Sequence, residues 1–245
     1  MSKRKIYFST ALVIYGKNLY STVNYPHYTR IIRHKILITP PTIYIIAGLL
    51  ISDAWMQKNK SKNGGVRLFK KQSIIQSEYL LFSFFLLEHF CSSYPQLKIS
   101  KLNNKTYHAL TFNTRTLECF KDIYNDFYLQ GKKIVPHNLY DYLNFQMLAH
   151  WIMCEGTRKD NALILQTDCF TIKEVVFILN VLLIKYNIHS TIQFQRNNPV
   201  LYIKTASKKR IKNKLIPFKC KSMLYKLGNR RVANSRDPLE YKEIK

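Results

Sequence analysis

Two carboxylates carry the chemistry that this 245-residue sequence offers. Asp53 closes the apolar stretch IAGLLISDA at 46–54, and Glu155 closes LAHWIMCEG at 148–156. Each acid is the eighth position of its stretch, after an apolar residue, an alanine and a further apolar run. Both stretches read as buried helices, so each acid falls at a helix C-terminus, where the partial negative charge disfavours a carboxylate. A divalent cation reverses that penalty by binding both the carboxylate and the unpaired terminal carbonyls. One such end is only an apolar helix meeting solvent at a polar residue. Two, 102 residues apart in matching contexts, point to a paired site.

The elements that position these acids repeat. Thr39-Pro40-Pro41 starts a helix, because proline fits a first turn that needs no N–H partner, and the helix runs to about Asp53. A polar loop at 58–65, a strand at 66–73, a long apolar helix at 74–94, an alternating strand at 106–115 and an amphipathic helix at 116–129 follow. After a turn at 131–136 (GKKIVP), the order begins again. A helix at 145–155 leads to a polar loop at 156–161, a strand at 162–168, and a helix at 171–187 with Thr171 and Glu174 as a capping box. A hairpin, 190–196 and 200–205, turns at Asn197-Asn198, and a basic helix covers 207–216. The chain therefore divides into a basic extension (1–38), a first half (39–130), a connector (131–146), a second half (147–227) and a polar tail (228–245). Such a pseudo-twofold monomer suits a two-stranded partner such as duplex DNA.

Composition narrows the partner. Lys plus Arg is 39 against 14 Asp plus Glu, a net charge of +25, yet 47% of the residues are hydrophobic, so this is a folded body and not a basic tail. A body that repels itself so strongly meets a polyanion; nucleic acid is the first candidate and an anionic membrane surface the second. The longest apolar stretches, 43–51 and 79–87, fall far short of the ~20 residues that span a bilayer, so no membrane helix is expected. Five cysteines without C-x-x-C spacing exclude a zinc ribbon and a disulfide scaffold. The absence of GxGxxG and GxxxxGK[ST] excludes nucleotide binding by those loops. The seven histidines form no HExxH or close pair. Residues 1–52 hold no acid and seven Lys or Arg; this resembles a transit peptide, a DNA-facing basic arm and the remnant of an upstream reading frame being the other readings.

On these residues the sequence resembles the LAGLIDADG homing endonucleases, specifically the two-motif, single-chain members encoded in organellar introns. The resemblance covers about 40–227 and includes both motifs, GKKIVP at 131–136, LAHWIM at 148–153, Gln166-Thr167 with Phe170-Thr171, and SMLYKL at 222–227. It implies an α+β fold: a pseudo-twofold pair of αββαββα-type units whose motif helices pack at the axis, with two antiparallel sheets forming a DNA-binding saddle. Ala47, Gly48 and Ala149 would let the helices approach closely, while His150 and Trp151 would make the second motif pack asymmetrically. It also implies that Asp53 and Glu155 bind Mg2+ or another divalent cation, and that Lys133 and Lys226 are the basic residues of the two sites. The chemistry implied is hydrolysis of one phosphodiester per strand. Two departures stand out: Glu155 where Asp is usual, its extra methylene worth ~1 Å of metal position, and Cys154 where a small or acidic residue is common. They leave open a second site that does not cut.

Strand alternation marks a reading face. Thr111, Asn113 and Arg115 alternate with Leu110 and Phe112, and Arg67 and Lys71 share one face of the preceding strand. In the second half Gln193 and Gln195 alternate with Ile192 and Phe194, and Tyr202 and Lys204 with Leu201 and Ile203; Gln166 and Arg196, the last residue of its expected strand, complete the set. Gln, Asn and Arg can read base edges bidentately and Lys can reach phosphates. The basic run 208–214 reads as a phosphate-positioning element or a solvated face. Three functions fit: a site-specific homing endonuclease acting as a monomer on double-stranded DNA, an RNA-binding maturase of its host intron, and a non-catalytic nucleic-acid-binding protein, each in the mitochondrion or another organelle. Only the first requires Asp53 and Glu155 to share one metal-bound site.

Overall fold

The computed structural model describes residues 21–59, 64–103 and 105–228. Residues 1–20, the heart of the transit-peptide reading, and the tail beyond Gly228 lie outside the described residues. A short basic helix, α1 (Arg30–Lys35), is capped by the Thr29 hydroxyl, which accepts from the Ile32 N–H. The first motif helix α2 (Pro40–Leu50) starts on its two prolines and ends three residues before Asp53, which lies in the turn that follows. Then come β1 (Trp55–Lys58), β2 (Val66–Ser73), α3 (Ser77–Leu87), β3 (Gln96–Leu102), β4 (Lys105–Asn113), α4 (Lys121–Phe127), a small hairpin of β5 (Tyr128–Leu129) and β6 (Lys132–Lys133), and α5 (Leu139–Tyr142). The second half runs α6 (Phe145–Glu155), β7 (Gly156–Lys159), β8 (Ala162–Gln166), α7 (Ile172–Tyr186), β9 (Ser190–Gln195), β10 (Asn198–Ile203), α8 (Thr205–Leu215) and a 3-10 segment, Lys221–Leu227.

The two four-stranded antiparallel sheets have the same order, β1-β2-β4-β3 and β7-β8-β10-β9. The fold is thus the α+β pseudo-twofold pair that the motif repeat implied. The edge strands β1 and β7 each follow a motif helix almost directly, so topology alone delivers Asp53 and Glu155 to the seam between the sheets.

Packing of α2 on α6 fixes the seam. Ile46, Leu49 and Leu50 of α2 and Leu148, Trp151 and Ile152 of α6 are fully buried; each such side chain contributes roughly 1.5–3 kcal/mol. A Cβ on Gly48 would lie 2.6 Å from the Met147 carbonyl oxygen and 2.7 Å from the His150 Cβ, so only glycine permits this crossing. The asymmetry expected of the second motif follows: His150 lies against Gly48, and Trp151 fills the core.

Several expected boundaries move. The helix expected at 74–94 is α3 with a 3-10 turn at each end, and β3 follows it unforeseen. The helix expected at 116–129 is only α4, its last two residues belonging to β5. The polar loop expected at 156–161 is β7 and its turn, with Asp160 left-handed (φ 51°). The β9–β10 hairpin turns one residue earlier than expected, on Arg196 and Asn197, both left-handed (φ 49° and 66°). All five cysteines are free thiols. Among the described residues no helix is long and apolar enough to cross a membrane.

Candidate active site between the motif helix ends

At the seam the Glu155 carboxyl lies beside Asp53, close enough for a shared proton to hydrogen-bond the pair. Burial, then the Asp53 charge and that hydrogen bond, push Glu155 up to about 7; Lys226 opposes the shift and Asp168 adds to it. Two neighbouring carboxylates, Glu155 half-buried and Asp53 exposed, resist being ionised together, so the pair holds a proton or calls for a cation. Both are hard oxygen donors, the type Mg2+ takes from one or two carboxylates before completing its shell with water and substrate phosphate. Among the described residues no group of three or more Asp, Glu, His or Cys could hold a metal ion by itself.

Each helix end is served by one lysine. Lys133 donates to the Ser52 and Ala54 carbonyls, both at 2.7 Å, straddling Asp53. Lys226 donates to the Met153 and Cys154 carbonyls at 2.7 and 2.9 Å, just before Glu155. These carbonyls are the orphan acceptors of the helix ends and the following turn, where a cation is favoured. The β5–β6 hairpin brings Lys133 into place by a turn through left-handed Gln130 and Gly131, while the Tyr128 hydroxyl accepts from the Met56 N–H. The 3-10 segment, ended by left-handed Gly228, brings in Lys226. Burial lowers the pKa of both lysines. Both carboxylates pull the other way, as do Cys169 and Cys154 at Lys133 and Cys154 at Lys226, whereas Lys70 lowers Lys226 further. Neither lysine is ion-paired to either acid. The four residues singled out from sequence thus converge on one place.

Two further residues belong here that sequence reasoning missed. Gln72 donates its amide to Asp53 Oδ2 (3.2 Å) and Gln76 Oε1 (2.7 Å), leaving its own buried Oε1 without a donor beside the acid. Lys70, fully buried, donates to Cys154 Sγ at 3.3 Å and lies 4.3 Å over the Tyr79 ring. Tyr79 in turn reaches His150 Nδ1 (3.2 Å) and Cys154 Sγ (3.3 Å). Burial, helped by Lys70 and Lys219, pushes His150 down to about 3, so its ring is neutral. The signal was present in β2: Val66 and Leu68 set the buried parity, and Lys70 and Gln72 continue it.

The register assigns the expected nucleic-acid residues to faces. Arg67 pairs with Gln57, Phe69 with both Trp55 and Asn113, and Thr111 with both Lys71 and Gln96. Cross-strand partners point the same way, so Arg67, Lys71, Thr111 and Asn113 share the face opposite buried Leu68 and Phe112. Gln57, Gln96 and Lys98 join them unforeseen. In the second sheet Gln166, Gln193, Gln195 and Tyr202 share a face, and Gln166 donates to Gln195 at 3.2 Å. Three expectations are corrected. Arg115 is buried, its guanidinium donating to the Thr22, Tyr25 and Pro26 carbonyls, because β4 ends at Asn113 and the chain turns inward. Arg196 is a hairpin-turn residue, and Lys204 is the N-cap residue of α8, one position past β10.

Fold and site together define a single-chain protein of two equivalent α+β halves with one paired carboxylate centre at their seam. The chain belongs to the LAGLIDADG DNA endonuclease family, whose model matches residues 43–211. It is 33% identical over 190 residues to the cytochrome b mRNA maturase bI2 of Debaryomyces hansenii, the match covering 74% of this chain and 71% of that protein. It is 32% identical over 157 residues to the intron-encoded endonuclease ai4 of Dictyostelium discoideum, covering 61% of this chain and 99% of that one. The solved structure of the homing endonuclease I-WcaI bound to its DNA recognition sequence shares the fold, with a TM-score of 0.75, 24% identity, and coverage of 81% of this chain and 92% of that chain.

Proposed function

We propose that this protein is a site-specific homing endonuclease that binds double-stranded DNA as a monomer and hydrolyses one phosphodiester in each strand. The observation that carries the reading is the contact between Asp53 and Glu155, brought from two separate helix ends to the seam of two polar sheet faces. Asp53 and Glu155 would hold Mg2+ or another divalent cation, which supplies charge stabilisation to the attacking water and the leaving 3′ oxygen. Lys133 and Lys226 clamp the carbonyls at both acids and place positive potential where charge develops on the phosphate. Gln72 holds Asp53 in place and leaves Oε1 free to orient a water. Gln57, Arg67, Lys71, Asn113, Gln166 and Gln193 present donors and acceptors to base edges along the two sheets. The likeness to a cytochrome b mRNA maturase supports a mitochondrial setting and favours a second reading, maturase action on the host intron RNA. The test is cutting of a duplex spanning the intronless host junction. Cleavage of both strands with Mg2+ and none with EDTA is expected; no cutting, together with binding of the intron RNA, would favour the maturase.

A further inference from the structure

We propose that the segment preceding the first motif helix, through His27 and Arg33, joins Arg67 and Arg115 in a pocket that clamps one backbone phosphate of duplex DNA away from the cut. The proposal rests on the duplex-DNA reading above. The pocket is a cavity of about 150 Å3 lined by His27, Tyr28, Arg33, Arg67, Asn113 and Arg115, among others, with no Asp or Glu in its wall. At ~30 Å3 per water it has room for a phosphate group.

The three arginines are held, not loose. Buried Arg115 grips the carbonyls of Thr22 and Tyr25 at 2.9 and 3.0 Å, lies 4.3 Å over the Tyr28 ring, and leaves its buried Nε without an acceptor. Arg33 Nε donates to the Tyr28 carbonyl at 3.1 Å. Arg67 donates to Thr116 Oγ1 through Nε and Nη2 at 3.1 and 3.0 Å. No ion pair reaches any of the three arginines among the described residues; Glu118 is engaged instead with His34 and Lys121. Three guanidiniums around one acid-free cavity repel one another, and an anion with several acceptor oxygens relieves that repulsion through forked hydrogen bonds.

Position identifies the anion. Arg67 and Asn113 belong to the reading face, and Asn113 also lines the larger cavity on that face, beside Trp55, Phe69, Lys71 and Thr111. Arg67 lies five residues along β2 from Gln72, the partner of Asp53, or roughly 17 Å at strand spacing. A duplex on the reading face therefore brings a flanking phosphate to the pocket, not the scissile one. His27 and Arg33 precede residues 43–211, the stretch matched by the family model.

The experiment measures binding of the wild type, Arg33→Gln and Arg33→Lys to the intronless-junction duplex in EDTA, from about 50 to about 200 mM salt. Losing one phosphate contact should flatten the slope of log K against log salt by about 0.9. Over that range the wild type then loses roughly threefold more affinity than Arg33→Gln, by the same relation. Arg33→Lys should keep the slope. One methylphosphonate position in the duplex should weaken the wild type without weakening Arg33→Gln further. Four results overturn the clamp: an unchanged slope in Arg33→Gln although the wild type binds steeply, which spares the DNA reading; no duplex binding by the wild type, which removes both; equal losses in Arg33→Gln and Arg33→Lys with a lowered Tm, which make Arg33 structural; or a flattened slope on an RNA duplex alone.

Discussion

The ends of α2 and α6 do the same job with different parts. Asp53 lies three residues past the end of its helix, whereas Glu155 is the last residue of its own. The chain therefore carries Asp53 to the seam on the turn after its helix and Glu155 on the last turn of its own. Each end is capped by one lysine on two carbonyls, yet Lys133 comes from a hairpin and Lys226 from a 3-10 segment. Their surroundings diverge further. Both lysines have the two acids and Cys154 nearby, but Lys226 shares its end with two further lysines, Lys70 and Lys219, the latter with a buried Nζ that has no hydrogen-bond partner. Pseudo-symmetry thus preserves the position of charge at the seam and lets the scaffolding drift. We propose that Glu155 is fitted to its place, not a worn copy of Asp53.

Shortening the fitted acid should have the largest effect. Glu155→Asp withdraws the carboxylate from Asp53, and a misplacement of ~1 Å costs on the order of a hundredfold. Cleavage of one strand should fall by that order in single-turnover assays with each strand labelled; a faster cut would mean that the two ends are interchangeable after all. Gly48→Ala tests the crossing that both ends depend on. Its Cβ meets α6 backbone that cannot give way cheaply, and overpacking of this kind costs about 1–3 kcal/mol. Urea denaturation should show that loss, and an unchanged midpoint would contradict the geometry.

The smallest effect separates the ends by pH. Glu155 is raised from 4.5 to about 7, so between those values the folded state binds more protons than the unfolded, and stability falls as pH rises through that window. Lys219 is lowered from 10.5 to about 7, first by burial and then by Lys226 and Lys208, so the folded state binds fewer protons there and stability grows as pH rises from about 7. In EDTA, Tm against pH should lose its alkaline rise in Lys219→Met and its acid-side decline in Glu155→Gln. A full alkaline rise in Lys219→Met would remove Lys219 from the account.

The long elements were legible because their periodicity is undiluted: 66–73 and 145–155 have the observed limits of β2 and α6. The missed strands are short or polar on both faces. β3, QLKISKL, is exposed at every position, so no buried parity marks it, and its pairing with β4 alone makes it a strand. β7 has only Gly156 buried. In the site, the acids and lysines were visible through repetition and resemblance, whereas Gln72 and Lys70 hid as polar residues at buried positions. Arg115 continued an alternation past the point where its strand stops. Parity along β2 could have exposed the first two; nothing local announces where β4 ends.

In the proposed mechanism Asp53 and Glu155 act together on one phosphate-bound cation while the sheets hold the DNA. The direct measurement is strand-resolved cleavage and binding of the intronless-junction duplex by Asp53→Asn, with Mg2+, beside the wild type. Asn keeps the shape and removes the charge that holds the metal. Cleavage of at least one strand should fall on the order of a hundredfold or more, with duplex affinity close to that of the wild type. Cutting at the wild-type rate would contradict the metal role of Asp53, and loss of affinity along with cutting would make Asp53 a structural residue of the helix seam.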